Sequence, residues 1–401
     1  MVSKALAVAI LGFGGRAEGF AQYALDHPND ARVAAVADPS PQRQRRAREM
    51  LGDVRMFDSG ESFYDSGMAV DGVWVISQER THADLAVPAL ERGLPLISEK
   101  PLATTARDAY RIVDAYERNT VPFVIPHSLR YLPVYRKVKE IVDSGQLGRI
   151  LHIHAFEQID DGHTVGYYRR GPGMYRANTT FLLAKCSHDI DIINWMMSGV
   201  KAKSVACFGG ADYFKPRAEV PGRCTDDCVE LSTCAFAPPP EQRATADVDA
   251  STKAVLDWHR CAWNSGAEQV DHQTIIIQFE NGTTADFTLK CFGDNRRPIQ
   301  ITGSHGTVYA ELYSNEVKLM LYHPQKVQTW GKEELRIGND GPHGGGDWAL
   351  IADWINAVRT GAPTRSASVQ ESAEAVAVCI AADRAMLEHR IVEMEEIRGE
   401  R

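Results

Sequence analysis

The chain has no apolar run approaching the ~18 residues a membrane helix needs, so no helical membrane span is expected. It has no excess of positive charge. At −9 over 401 residues, general nucleic-acid binding is excluded as a leading function, although a local basic pocket is not. It shows no internal repeat. It also lacks a convincing export signal: Lys4 precedes a short apolar run, but Gly12, Gly14, Gly15 and Arg16 interrupt it without a small-residue cleavage site. Cysteine is too sparse for a disulfide framework, with eight in a long chain. Reduced thiols in the cytoplasm, or a metal site, are expected instead. What remains is ordinary globular material, 44% hydrophobic and 24% charged, long enough for two domains.

The first third alternates short apolar runs with helical patterns. Leu6–Leu11, Val33–Ala37, Val73–Ile76, Pro95–Ile97 and Phe123–Ile125 read as strands, with helices such as Thr81–Arg92 and Thr105–Arg118 between them. That alternation predicts a doubly wound α/β domain with a parallel sheet over residues 1–126. Residues 127–401 predict an α+β domain with an open, largely antiparallel sheet. Its strands are Ile150–Phe156, Ala202–Phe208, Gln273–Phe279, Thr283–Lys290, Ile299–Thr302 and Thr307–Leu312, with Asn281-Gly282 as a hairpin turn. Trp348–Arg359 and Val369–Arg390 read as closing helices that could pack back on the first domain. The proline-rich stretch Phe236–Thr252 reads as an exposed loop.

Gly12-Phe13-Gly14-Gly15-Arg16-Ala17 fits G-x-G-x-x-A after the first strand. The first glycine permits the turn, the second lets backbone approach a pyrophosphate, and the small last residue lets helix and strand pack. The helix N-terminus supplies N–H groups and partial positive charge. Asp38 ends the next strand, where an acid bonds a ribose 2′-hydroxyl and repels a 2′-phosphate. NAD is therefore favoured over NADP, a preference weakened by Arg43, Arg45 and Arg46 nearby. The plain alternative is a glycine turn with a helix-capping Asp38.

Glu99-Lys100-Pro101 lies after a later strand. Together with the glycine turn, Ser77-Gln78-Glu79-Arg80-Thr81-His82, His127-Ser128-Leu129-Arg130-Tyr131 and Lys185-Cys186-Ser187-His188-Asp189-Ile190-Asp191, it makes nearly the whole chain resemble the Gfo/Idh/MocA oxidoreductases. The resemblance implies a nicotinamide-binding Rossmann domain, then an α/β domain whose open sheet often builds dimers or tetramers. Lys100 matches the family lysine near the reacting hydroxyl and nicotinamide. His188 matches the general acid/base or orienting histidine, and Asp191 the acid one turn on. Ser77, His82, Glu99, Lys100 and Arg130 fall in the matched segments expected to line the cofactor site, with Gly12, Phe13, Gly14, Gly15, Arg16 and Asp38. One position departs: many members carry an aspartate where this chain has Ala184, and Lys185 follows. Either Lys185 takes a catalytic or substrate-binding role, or another group supplies the acid/base.

The chemistry asks for such residues independently, because oxidising an alcohol needs a base for the O–H proton. The bland alternatives are a solvated helix lysine at Lys185, a hydrogen-bonded core histidine at His188 and a structural Lys100–Glu99 ion pair. Before the His188 helix, His163, Tyr167, Tyr168, Arg169, Arg170 and Arg176 suit a carbohydrate's apolar faces and hydroxyl edges. The arginines could meet an anionic group, or simply face solvent. His343 and Asp347 could complete the pocket, with a helix cap at Asp347 as the alternative. Cys224, Cys228, Cys234 and Cys261 read as a closed structural zinc site, or as free thiols or a disulfide.

Three functions follow. The first is an NAD-dependent oxidoreductase acting on a secondary hydroxyl of a sugar, polyol or sugar acid. The second is a glycosidase that recycles NAD through transient ring oxidation, with Tyr168, His163 or Lys185 as the carbon base. The third is a nonenzymatic NAD- or sugar-sensing regulator on the same fold.

Overall fold

The computed structural model describes residues 4–169, 171–224, 227–238, 259–336 and 345–401. Arg170, His343 and most of the proline-rich stretch lie outside the described residues. Two sheets organise the chain. The first contains β1 (Leu6–Leu11), β2 (Ala31–Ala37), β3 (Arg55–Phe57), β4 (Gly72–Val75), β5 (Leu96–Ser98) and β6 (Phe123–Val124). Its order is β3-β2-β1-β4-β5-β6, all parallel. β1 is buried almost throughout, as expected of a strand covered on both faces. The order reverses between β1 and β4, so their carboxyl ends frame a crevice.

Helices α1 (Gly15–Asp26), α2 (Pro41–Leu51), α3 (Gly60–Asp65), α4 (His82–Glu91) and α5 (Ala106–Arg118) connect the strands. Gly12 ends β1 at φ +90°, and a Cβ there would lie 2.6 Å from the Ser77 Cα. Glycine is required both for the conformation and for the close approach of the segment after β4.

α6 (Pro133–Asp143) leads to the second sheet, built from β7 (Ile150–Ile159), β8 (Ala202–Gly210), β9 (His272–Phe279), β10 (Thr284–Cys291), β11 (Pro298–Gly303), β12 (Gly306–Glu311), β13 (Glu316–Leu321), β14 (Lys326–Trp330) and β15 (Val392–Glu393). The order is β14-β13-β12-β11-β7-β10-β9-β8-β15, with only the β7–β10 pair parallel. Gly282 turns β9 into β10 at φ +85°. α7 (Asp161–Tyr167) and α8 (Phe181–Met196) follow β7. Along β9, buried Ile275, Ile277 and Phe279 alternate with outward positions, and Phe208, Ile276 and Met320 are exposed.

The closing helices divide their allegiance. α9 (Gly346–Thr360) buries Leu350, Ile351, Trp354 and Ile355 in one core with Val8, Ile10, Phe20 and Trp74 of the first sheet's layers. A Cβ on Gly72 would sit 2.6 Å from the Trp354 ring, so that glycine admits the helix. α10 (Val369–Glu388) packs on α8, α5 and β8, and α11 (Met394–Arg398) ends the fold.

Candidate active site

A cleft of about 700 Å³ opens at the crevice between β1 and β4 and continues toward α8 and the second sheet. Gly14, Gly15, Arg16, Ser77, Glu99 and Lys100 line it from the first domain; His163, Tyr167, Lys185 and His188 line it from the second. α1 begins there without a side-chain cap on Gly14, and Cβ atoms on Gly14 or Gly15 would meet nothing within 4 Å. An uncapped helix start facing open space fits a dinucleotide pyrophosphate.

The remaining cofactor candidates support the cleft from behind. Buried Asp38 accepts the Phe13 N–H at 2.7 Å and the Ser40 N–H at 2.8 Å, so its carboxylate fixes the glycine turn. The Phe13 ring belongs to the core. His82 is buried, with its ring nitrogens 2.8 Å from the Pro101 carbonyl and 3.3 Å from the Ser77 carbonyl, joining the segments after β4 and β5. Arg130 does not face the cleft. It makes a two-pronged pair with Asp191, both bonds 2.8 Å, and also reaches Glu371. Asp191, proposed from sequence as catalytic, is thereby fully buried against a guanidinium.

Arg16 does more than the motif requires. Its Nε bonds Glu99 at 2.6 Å, and its two terminal nitrogens bond Asp347 at 2.5 and 2.9 Å. Asp347 thus ties α9 to the cofactor turn instead of capping the helix. Glu99 also accepts the Lys100 N–H at 2.9 Å. The Lys100 ammonium points elsewhere, donating to the Ala184 carbonyl at 2.6 Å. Burial lowers its pKa, and Lys185 adds to that against the pull of Glu99. The Ala184 backbone therefore meets the lysine directly.

A carboxylate reaches the neighbouring Lys185 from another element. Glu157 on β7 pairs with Lys185 at 2.9 Å and with Arg297 at 3.2 Å. Arg297 clasps Asp189 at 2.7 and 2.6 Å. Burial pushes Glu157 up, but Arg297 and Lys185 outweigh it and hold its pKa below the ordinary value. Lys185 is raised by Glu157 against burial. Glu157, Cys186 and Asp189 have ligand atoms within 4.8 Å of one another, yet two cations already serve them, which disfavours a metal. Glu157 and Arg297 were not found by motif. The available signal was a charged residue at an inward register position of an apolar strand, since Ile153, Ala155, Glu157 and Ile159 share the buried face. The β12–β13 turn also reaches the cleft with Tyr313 and Asn315 and left no sequence signal.

His188 meets the His127 ring edge to face at 5.7 Å. Nδ1 of His188 and both nitrogens of His127 make no hydrogen bond to the described residues. Burial lowers both pKa values, His188 well below 6.5 with Lys100 and other cations adding to it, and His127 less because Asp191 opposes the shift. Both rings are therefore held neutral in the fold, while in the unfolded chain they take up protons near 6.5. Their contribution to stability is complete above that pH and is lost as pH falls below it, with a slope of up to about 1.4 kcal/mol per unit for each ring. Urea denaturation between about pH 7 and 5 should show this slope, and it should shrink in His127→Gln; an unchanged profile would count against the assignment.

Three other candidates are used elsewhere. Tyr168 is buried, donates its phenol to the Gln269 carbonyl at 3.0 Å and packs on Phe214. Arg169 bonds the carbonyls of Arg260 at 2.7 Å and Phe236 at 2.6 Å. Arg176 pairs with Asp383. None of the three lines the cleft. By contrast Tyr167 faces it, stacked on Phe181 at 3.9 Å, with His163 stacked beyond. Cys224, Cys228, Cys234 and Cys261 meet around a separate small recess.

Comparison with known proteins agrees with this fold. Residues 6–127 match the model described as an oxidoreductase family with NAD-binding Rossmann fold, and residues 139–394 match that family's C-terminal alpha/beta domain. The Bacillus subtilis protein YteT, named as an oxidoreductase, is 22% identical over 91% of this chain and 92% of its own. An inositol 2-dehydrogenase from Saccharopolyspora erythraea is 32% identical over 42% of this chain and 46% of its own. The scyllo-inositol dehydrogenase of Lactobacillus casei, solved with NAD(H) and scyllo-inositol, shares the fold at a TM-score of 0.70, with 16% identity, 98% of this chain and 100% of that one covered. No helix among the described residues is long and apolar enough to cross a membrane.

Proposed function

The chain belongs to the Gfo/Idh/MocA family of NAD-binding oxidoreductases, and we propose that it oxidises or forms a secondary hydroxyl on a neutral cyclic polyol or sugar. The observation that carries this reading is the convergence of Lys100 and His188, from different domains, on the cleft that starts at the uncapped turn of α1. Bound NAD, held by Gly14, Gly15, Arg16 and Ser77, would supply the hydride acceptor or donor. Lys100, with its lowered pKa, is suited to exchange the hydroxyl proton, and neutral His188 to accept a hydrogen bond and orient that hydroxyl. The Lys185–Glu157 pair offers a donor and an acceptor at the cleft wall, as a polyol's hydroxyls require.

A neutral substrate is favoured over an anionic one because the described arginines of the 161–176 segment bind protein partners, and Lys185 and Arg297 are already matched by Glu157 and Asp189. The inositol dehydrogenases among the relatives support a cyclic polyol, although the stretches matched to the first of them span about half of each. A homodimer or homotetramer through the exposed sheet face is part of the proposal, supported by Phe208, Ile276 and Met320 on that face. The recycling glycosidase draws no support from Tyr168, whose phenol is buried and bonded. Tyr168→Phe should cost roughly 1 kcal/mol of stability and leave kcat within about twofold; a collapse of kcat with intact fold would return Tyr168 to the mechanism.

The test is absorbance of NADH during incubation with inositols, free sugars and glycosides. Net NADH that depends on Lys100 supports the proposal. Aglycone release without accumulating NADH would replace it by the glycosidase. Tight NAD binding with no hydride exchange across the panel would favour the regulator.

A further inference from the structure

We infer that Cys224, Cys228, Cys234 and Cys261 hold a structural zinc ion, and that this metal knot braces the α7 wall of the cleft. The backbone converges the four residues from two directions. An antiparallel bridge joins Arg223 and Arg260, with the Cys224 N–H on the His259 carbonyl at 2.6 Å and the Cys261 N–H on the Gly222 carbonyl at 3.0 Å. Cys224 and Cys261 are thereby set on neighbouring segments. A turn then brings Cys234 back toward Cys228: the Leu231 N–H bonds the Cys228 carbonyl at 3.0 Å, and the Cys234 N–H bonds the Glu230 carbonyl at 2.8 Å. All four thiols are free, and all four line one recess walled by Val220, Leu231, Ala237 and Trp263. The acid at that recess, Glu230, is occupied by Arg217.

Four thiolates with no open position suit a tetrahedral zinc centre, whose net charge of about −2 needs compensation when buried. Arg169 supplies a buried cation, its Nη2 lying 3.8 Å from the Cys224 sulfur. No three of the sulfurs lie within 4.8 Å of one another, so binding includes a contraction of the lobe onto the ion. Arg169 also links the lobe to the cleft. It bonds the carbonyls of Phe236 and Arg260 on the lobe, and it follows Tyr167 by two residues. Fixing the lobe therefore fixes the end of α7, which presents His163 and Tyr167 to the cleft. This inference does not depend on the identity of the substrate.

The test uses the full chain purified under reducing conditions without chelators. Elemental analysis should find about one zinc per chain. Cys228→Ser and Cys261→Ser should each lose it, and Cys379→Ala, in α10 and outside the cluster, should keep it. Should the serine variants fail to fold, zinc is stripped from the wild type with a mercurial and a chelator. Amide exchange in residues 161–169 should then rise about tenfold or more while α5 is unchanged. Absence of zinc, stoichiometric iron in its place, disulfide-linked cysteines in non-reducing peptide maps, or retention of zinc in both serine variants would overturn the site. Unchanged exchange at 161–169 after zinc release would overturn the brace.

Discussion

Lys100→Met is expected to lower turnover by a factor on the order of 10²–10⁴, with NAD affinity changed by no more than about threefold. Methionine retains a flexible apolar stem in the same volume and removes only the ammonium. That group lies where the end of β5 faces α8 and donates to the Ala184 carbonyl at 2.6 Å. Loss of this bond leaves the Ala184 oxygen within its helix, so the structural penalty is small. Glu99 remains satisfied by Arg16 at 2.6 Å, and the cofactor turn it supports is untouched. Because burial and Lys185 lower the Lys100 pKa, its limb in the wild-type pH–rate profile should lie below the ordinary lysine value of 10.5 and be missing from the variant. Steady-state kinetics and NAD titration by fluorescence decide the matter. A variant with wild-type turnover would remove Lys100 from proton handling.

The second large effect is on stability. Arg297→Met should destabilise the fold by about 3–5 kcal/mol, because it strands buried Asp189 and removes one of the two cations that serve Glu157. Arg297 closes the connection before β11, bonds Asp189 through two nitrogens and reaches Glu157. Burial already pushes Asp189 up to about 6, with the charge of Glu157 adding to it, so the guanidinium is what keeps this acid from rising further. Lys185 would still partner Glu157, leaving Asp189 as the more exposed liability. Equilibrium unfolding in urea reads the loss, and Arg297→Lys should recover part of it by restoring charge without the fork. A loss below about 1 kcal/mol in the methionine variant would mean that the cluster is wetter than its burial indicates.

The glycine turn, Glu99-Lys100-Pro101 and the His188 helix were legible because each is a local pattern with a local cause: a turn that needs positive φ, a strand end, a helical spacing. The cleft does bring Gly14, Gly15, Arg16, Lys100, Lys185 and His188 together. The reading of side-chain targets was less informative. Arg169, Arg176, Tyr168 and Asp191 have the right chemistry for a substrate or a proton, but they meet carbonyls and counter-ions that are up to about 200 residues away in sequence. A long polar side chain carries no record in its neighbours of which distant group will satisfy it.

By itself, the sequence determined the layered plan of the first domain, a parallel sheet with helices on both faces, the antiparallel habit of the second, the family, and Lys100 and His188 as groups to be sought at one site. Periodicity and turn chemistry are enforced within a few residues, so they can be read along the chain. Only the tertiary structure decided how charge is balanced around those groups. Glu157 comes from β7 to pair with Lys185, Asp347 returns from the far end of the chain to hold Arg16, and Arg169 turns away from the cleft to the cysteine lobe. Burial makes an unmatched charge costly, and the partner that relieves that cost is chosen by proximity in space, not by order in sequence.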